Sequence, residues 1–299
     1  MVTGEMMIEV QELLDLFGIP YVLSPSEAEA QCAELERLKL VDGIITDDAD
    51  TFLFGGRHIF KHIFTDQKYM EMYEMRSVED DFKLSRESLV LMALLLGSDY
   101  TDGVAGVGPV NAYEVVQAFP TFEDLSEFRN WVFSVEGYDF AKKCCDPEML
   151  AYRNKFAKKH KNQARRWDVS ADFPSRAVVD AYLKPLVEKS EESFEWGQPK
   201  VDGLIQWAHR KLNWTESYTK DVLRPVLEAH RNPAVQLHME SFATTFKRAA
   251  KIKSKRVQRA VQELAGGDAD DDMMLDPEQY VPLEIPKGKG EKSAKKKTS

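Results

Sequence analysis

Two pairs of carboxylates, Glu27/Glu29 and Asp48/Asp50, stand closely spaced behind short apolar runs. IPYVL leads into SPSEAEA, and GIIT leads into DDAD. In open parallel sheets, ligands collect at the carboxyl ends of the strands. Two strand ends carrying four acids would concentrate negative charge in one crevice. That is unfavourable unless a cation sits there, and an oxygen-only ligand set suits Mg²⁺ or Mn²⁺. Asp48 and Asp50, two apart in an extended segment, face the same side, whereas Asp47 faces the other way and reads as structural. Asp99, behind the apolar run LVLMALLLG, offers a fifth acid. Five acids are enough for two ions. Such ions sit about 3.5–4 Å apart and stabilise the attacking and leaving oxygens of a phosphoryl displacement.

Each of these residues also has a plainer role. Glu27 and Glu29 occupy the N3 positions of capping boxes begun by Ser24 and Ser26, where acids favour the helix dipole. Asp48 and Asp50 are common turn residues after a strand, and Asp99 suits a solvated loop. The glycines of GVAGVGPVNA fit a tight inter-helix turn. They equally fit a loop whose backbone N–H groups grip a phosphate. The basic run of Lys155, Lys158, Lys159, Lys161, Arg165 and Arg166 fits a solvated helix face or a duplex contact.

The elements that position these residues follow from periodicity. Met6, Met7, Val10, Leu13, Leu14 and Phe17 predict a helix over Gly4 to Phe17, closed by Gly18. IPYVL and GIIT are expected strands with a helix between them. RHIFKHIF and KYMEMYEM are two more extended pieces, with Asp66-Gln67 between them. A helix runs from Leu84 to Gly97, and Pro109 opens the next. After Phe119 the pattern is helical with polar loops. Lys142 to Arg166 carries little apolar pattern, and Leu183, Val187, Phe194, Trp196, Leu204, Trp207, Leu212 and Trp214 supply a second apolar cluster. From Gly266 the composition is that of a disordered tail, acidic and then lysine-rich. The alternation of helix and strand predicts an α/β fold, a parallel-type sheet with crossover helices, followed by an all-helical region.

Composition sets outer bounds. The chain has 299 residues, is 43% hydrophobic and carries a net charge of −10, so nothing global advertises nucleic-acid binding. Three cysteines without paired spacing argue against a disulfide scaffold or a zinc site. The longest apolar run is too short to span a bilayer.

The combined motifs resemble a known family. VTGEMMIEVQELLDLFGIPYVLSPSEAEAQCAEL, GIITDDADTFLFGGRHIF and LLGSDYTDGVAGVGPVNAYEVV resemble the internal nuclease region of the flap endonuclease superfamily. FEWGQPKVDGLIQWAHRKLNW and QLHMESF resemble its XPG branch. The resemblance covers about Val2 to Leu264. It implies a PIN-like nuclease core over residues 1–98, a helical helix–two-turn–helix region over 99–235, and a C-terminal helix with a basic tail over 236–299. It implies a Mg²⁺-dependent, structure-specific DNA endonuclease of nucleotide excision repair, nuclear, cutting single-strand/double-strand junctions on the 3′ side of a bubble beside repair-complex proteins. Glu27, Glu29, Asp48, Asp50 and Asp99 become catalytic metal ligands for two ions. Gly103, Val104, Gly106, Val107 and Gly108 become DNA-binding residues, and the carbonyls of Gly103, Val104 and Val107 hold a monovalent cation.

Three departures accompany the resemblance. The family's catalytic domain opens with another block, which supplies an N-terminal strand, two further metal-binding aspartates and basic side chains. This chain starts after that block, so it is expected to be the C-terminal part of a larger protein, and the alternative function is a non-catalytic DNA-binding fragment. Gln236, Met239 and Phe242 match a sliding-clamp motif in which Ala243 replaces the second aromatic, so clamp binding is not part of the expectation. Val110 and Asn111 stand where basic residues often follow the loop.

Overall fold

The computed structural model describes residues 3–63, 70–142, 144 and 146–231. It opens with α1 (Gly4–Phe17), which is capped by the Thr3 side chain and ends at Gly18, whose φ is 71°. Next come α2 (Ala28–Arg37), β1 (Ile44–Ile45), α3 (Asp50–Phe54), β2 (His58–Lys61), β3 (Glu71–Glu74), α4 (Met75–Phe82) and α5 (Arg86–Leu96). The helical half holds α6 (Pro109–Ala118), α7 (Phe122–Phe133), α8 (Pro147–Ala164), α9 (Arg176–Leu183), α10 (Val201–Leu212) and α11 (Glu216–Arg231), with one 3₁₀ turn at Phe140–Lys142.

The fold is α/β, with helices outweighing a small sheet. Among the described residues that sheet has three strands in the order β1-β2-β3. β1 and β2 pair in parallel, with Ile44 opposite Ile59, through the α3 crossover. β3 returns antiparallel, with Ile59 opposite Tyr73, so the sheet is mixed rather than wholly parallel. The Asp66-Gln67 connection lies outside the described residues, as do Gln236 to Ala243 and the tail.

IPYVL forms no strand, contrary to its composition. A strand exists only through its ladder, and Ile19 to Leu23 has no ladder partner among the described residues. Tyr21, Val22 and Leu23 are all exposed. The Ser24 capping box is also absent. Glu27 is itself the N-cap of α2 and makes no side-chain cap bond. Ser24 Oγ donates instead to the Glu27 carbonyl at 2.8 Å.

One hydrophobic cluster runs from α2 and α3 through α5 and α6 to α9, so the expected boundary between residues 98 and 99 falls in a loop over a shared core. Leu94, Leu95, Val115, Phe119, Phe128 and Tyr182 are completely buried. The Lys142–Arg166 stretch is less polar in space than in sequence. α8 buries Arg153, Phe156, His160 and Ala164 at helical spacing, two of them polar. The second apolar cluster forms only in part. Leu183 and Val187 pack on the main core and Leu204 is buried, while Trp196 stays 72% exposed. No described helix is long and apolar enough to cross a membrane.

Candidate functional site

The acids of the second pair sit where β1 turns into α3. The Thr46 hydroxyl accepts the Asp48 amide at 3.0 Å, and Asp48 Oδ1 accepts the Asp50 amide at 2.8 Å. Asp48 thus fixes the turn with one oxygen, and its other oxygen has no donor among the described residues. Asp47 points elsewhere and accepts the His62 amide at 2.8 Å, which anchors the turn to the end of β2.

Asp50 opens α3 and meets a residue far away in the chain. Tyr182, on α9, donates its hydroxyl to Asp50 Oδ2 at 2.7 Å. The Tyr182 ring is fully buried between Phe54 (5.1 Å between centroids) and Tyr100 (5.0 Å). Tyr100 in turn donates to Glu27 Oε1 at 2.9 Å. Asp99 and Tyr100 stand at the tip of a turn after α5, closed by the Ser98 amide to the Thr101 carbonyl at 2.8 Å and its return bond at 3.1 Å.

The electrostatics show which acids share the space. Burial pushes the Asp50 carboxyl above its ordinary range. The Tyr182 hydrogen bond opposes this, and the charges of Asp48, Asp99 and Glu27 add to it. Tyr100 is pushed up to about 12 by burial, by its bond to Glu27, and by the charges of Glu27, Asp50 and Asp99. Tyr182 is raised as well, first by burial and then by Asp50, against a Ser98 hydrogen bond that lowers it. Both tyrosines therefore stay protonated donors at neutral pH.

Asp50 therefore feels the charges of Glu27, Asp48 and Asp99, acids that come from three chain segments. Glu29 differs. It lies in the first turn of α2, half-buried, and its charge bears on Cys32. Among the described residues, no three His, Cys, Asp or Glu side chains converge closely enough to hold a metal ion. The acids form a shared field, and their side chains have not closed into a coordination shell.

Two residues escaped the sequence reasoning. Tyr100 could have been found, since it directly follows Asp99. Tyr182 had no local signal at all, because its partner lies 132 positions away.

The glycine loop joins α5 to α6. Gly103 and Gly106 have φ of 76° and 87°. A Cβ on Gly103 would stand 2.4 Å from the Gly97 nitrogen, so the two ends of the loop touch through bare backbone. Val104 and Val107 anchor it, both buried, and the Val104 amide donates to the Leu95 carbonyl at 2.8 Å. The Val104 carbonyl already accepts the Val107 amide at 3.1 Å. Gly108 caps α6, and a Cβ there would meet nothing within 4 Å. Gly103→Ala is expected to cost more than about 1–2 kcal/mol, since the left-handed penalty adds to a backbone clash. A urea unfolding curve measures it, and an unchanged midpoint would show that the loop has room.

Residues 18–99 match the family model of the XPG I-region. The DNA excision repair protein ERCC-5 homolog of Xenopus laevis is 40% identical over 263 residues, 87% of this chain and 21% of that protein. The DNA repair protein RAD2 of Saccharomyces cerevisiae is 42% identical over 228 residues, 76% of this chain and again 21% of the relative. The solved catalytic core of Rad2 in complex with DNA substrate superposes with a TM-score of 0.63 at 41% identity, covering 76% of this chain and 69% of that one. The chain belongs to the XPG branch of the flap endonuclease superfamily. It spans about a fifth of the length of these curated relatives, at 21%.

Proposed function

We propose that this chain contributes part of the active site and the duplex-holding loop of a structure-specific DNA endonuclease of nucleotide excision repair. The observation that carries the reading is the field at Asp50, where the charges of Asp48, Asp99 and Glu27 meet beside the helix–two-turn–helix. Family relatives that are DNA repair proteins, and a Rad2 core bound to a DNA substrate, support it. On this reading the protein acts in the nucleus, at single-strand/double-strand junctions, and cuts on the 3′ side of a bubble beside other repair proteins.

The donor set fits Mg²⁺ or Mn²⁺. All four side chains of the shared field offer oxygen only, and the repulsion at Asp50 is what a divalent cation relieves. Bound divalent ions stabilise the attacking and leaving oxygens of a phosphodiester. The chain's own residues prepare for this. Tyr182, Tyr100 and the Asp50 amide each occupy one oxygen of Asp50, Glu27 and Asp48. The second oxygen of each has no donor among the described residues, so the carboxylates are oriented but not used up. Glu29 belongs to the reading as a further ligand from the same helix end. The loop from Gly103 to Gly108 lets the backbone approach a phosphate and aims the start of α6 at it. The Gly103 and Val107 carbonyls, with the remaining lone pair of Val104, are candidates for a monovalent cation.

Cleavage of a labelled bubble DNA by the chain, with Mg²⁺ and with EDTA, tests the reading. Mg²⁺-dependent incision at the 3′ side supports it. The open arrangement of the acids favours one other reading, a DNA-binding fragment without its own chemistry. Salt-dependent binding with no incision would establish that one instead.

Tyr182→Phe gives a finer test. Loss of the hydrogen bond to Asp50 is expected to weaken divalent-ion binding by about 10–100-fold, as losing outer-shell partners does. Mn²⁺ titration followed by electron paramagnetic resonance reads this directly. Equal Mn²⁺ affinity in both proteins would separate Tyr182 from the metal site.

A further inference from the structure

Beside the glycine loop lies a second feature with the chemistry to hold a phosphate backbone. α8 buries Arg153, Phe156, His160 and Ala164 along one side. At 100° per residue, Lys155, Lys158 and Asn162 fall on the opposite side, and Arg166 follows one turn later. Lys155, Lys158 and Arg166 are exposed and have no carboxylate partner among the described residues. In a chain with a net charge of −10, that is a local exception.

Two neighbouring acids, Glu114 and Glu136, are already paired with cations. Glu114 is held by the His160 imidazole at 2.5 Å and by Lys159 at 3.1 Å. Both bonds help keep the Glu114 carboxyl below its ordinary range, against the burial that would raise it. Glu136 pairs with Arg165 and lies 4.0 Å from Lys161. Asp146 caps α8 and Glu148 lies in its first turn, at the far end from Arg166. Asp168 binds the loop through its backbone, with the Ala105 amide donating to its carbonyl at 3.2 Å and its own amide returning at 3.1 Å.

This end of α8 is joined firmly to the glycine loop. A Cβ on Gly106 would lie 3.1 Å from the Trp167 ring and 3.3 Å from the Arg166 carbonyl oxygen. Trp167 is buried and stacks on His160 at 5.8 Å. The end of the helix and the loop are therefore packed directly against each other. From Lys155 to Ala164, where α8 ends, the rise is about 14 Å, which matches about four phosphates along one strand of a duplex.

We propose that the solvent face of α8, carried by Lys155 and Lys158, together with Arg166 just beyond its end, is a phosphate-contact track that continues the glycine loop along one duplex strand. It takes double-stranded nucleic acid without reading bases, because lysine and arginine contacts to phosphate fix register and carry no sequence information. The proposal rests on the DNA-binding part of the proposed function and extends its footprint.

The test is the salt dependence of binding to a random-sequence DNA duplex, measured with the full chain. Each lost phosphate contact lowers the slope of log K against log salt by about 0.9. The double variant Lys155→Ala/Lys158→Ala is expected to reduce the slope by about 1.8. Its affinity deficit relative to the original chain should then shrink roughly tenfold between 50 and 200 mM salt. Both lysines face solvent, so the thermal midpoint should stay put. A control, Lys184→Ala/Lys220→Ala, removes the same charge from ion pairs on α9's end and α11. It is expected to leave the slope unchanged. An unaltered slope in the α8 variant, or an equal drop in the control, overturns the track while leaving DNA binding intact. No binding by the original chain at any salt overturns both the track and the reading beneath it.

Discussion

Asp48→Asn is expected to lower Mg²⁺-dependent incision by more than about a hundredfold while leaving DNA affinity within about twofold. The asparagine keeps an oxygen that can accept the Asp50 amide, so the turn into α3 survives. What it removes is the charge. Losing an outer-shell partner of a metal site costs about 10–100-fold, and losing a ligand costs more. Asp48→Ala should show the same loss of incision and, in addition, about 1 kcal/mol of stability from the orphaned amide. The pair of variants thus divides the two roles of one side chain. The assay is the initial rate of Mg²⁺-dependent cleavage of a labelled bubble DNA. DNA affinity is read by fluorescence anisotropy. Asp48→Asn protein that still cuts at the original rate would remove Asp48 from the chemistry and leave it only a turn.

Arg153→Met is expected to cost about 3–5 kcal/mol of stability, the usual penalty for stripping one partner from a buried ion network. Arg153 is 4% exposed. Its guanidinium binds Glu127 and Asp124 at 2.5 Å each, and its Nε donates to the Ala118 carbonyl at 2.9 Å. It also lies 5.0 Å over the Phe119 ring. The network joins α8 to α7 and to the end of α6, and so fixes the basic face of α8 toward solvent. Removing the arginine strips the buried Glu127 of its Arg153 ion pair. The double variant Arg153→Met/Glu127→Leu should recover much of the loss, because an apolar pair of similar size is often neutral in such a place. Urea unfolding of the three proteins decides it. A cost below about 1 kcal/mol for Arg153→Met would mean that water reaches the network and that the helices are held by packing alone.

Local physics explains why some of this was legible beforehand. α1 was readable because its apolar spacing and Gly18 both act within one or two turns, while its Thr3 cap emerged only in the structure. Pro109 and Gly108 announced α6 in the same way. The four acids of the shared field could be named from their types and from the apolar runs before them. The family's motifs are dense enough along the chain for the XPG branch to be recognised from them.

Other features depended on partners far along the chain. Ile19 to Leu23 has strand composition, but a strand is made by a neighbour, and none of the described residues supplies one. Glu27 looked like a capping acid until Tyr100, 73 positions on, took its carboxylate. Glu29 shares Glu27's motif yet faces Cys32 instead. Tyr182 entered the site only because α9 packs over α3. Lys142 to Arg166 showed little apolar pattern because Arg153 and His160 can be buried only once Glu127, Asp124 and Glu114 are brought to them. Composition and spacing determined which residues are chemically able to act, since type and neighbour distance are written in the chain. Tertiary structure decided which oxygens are tied, which are left open and which charges face solvent, because those depend on contacts between segments that sequence order keeps apart.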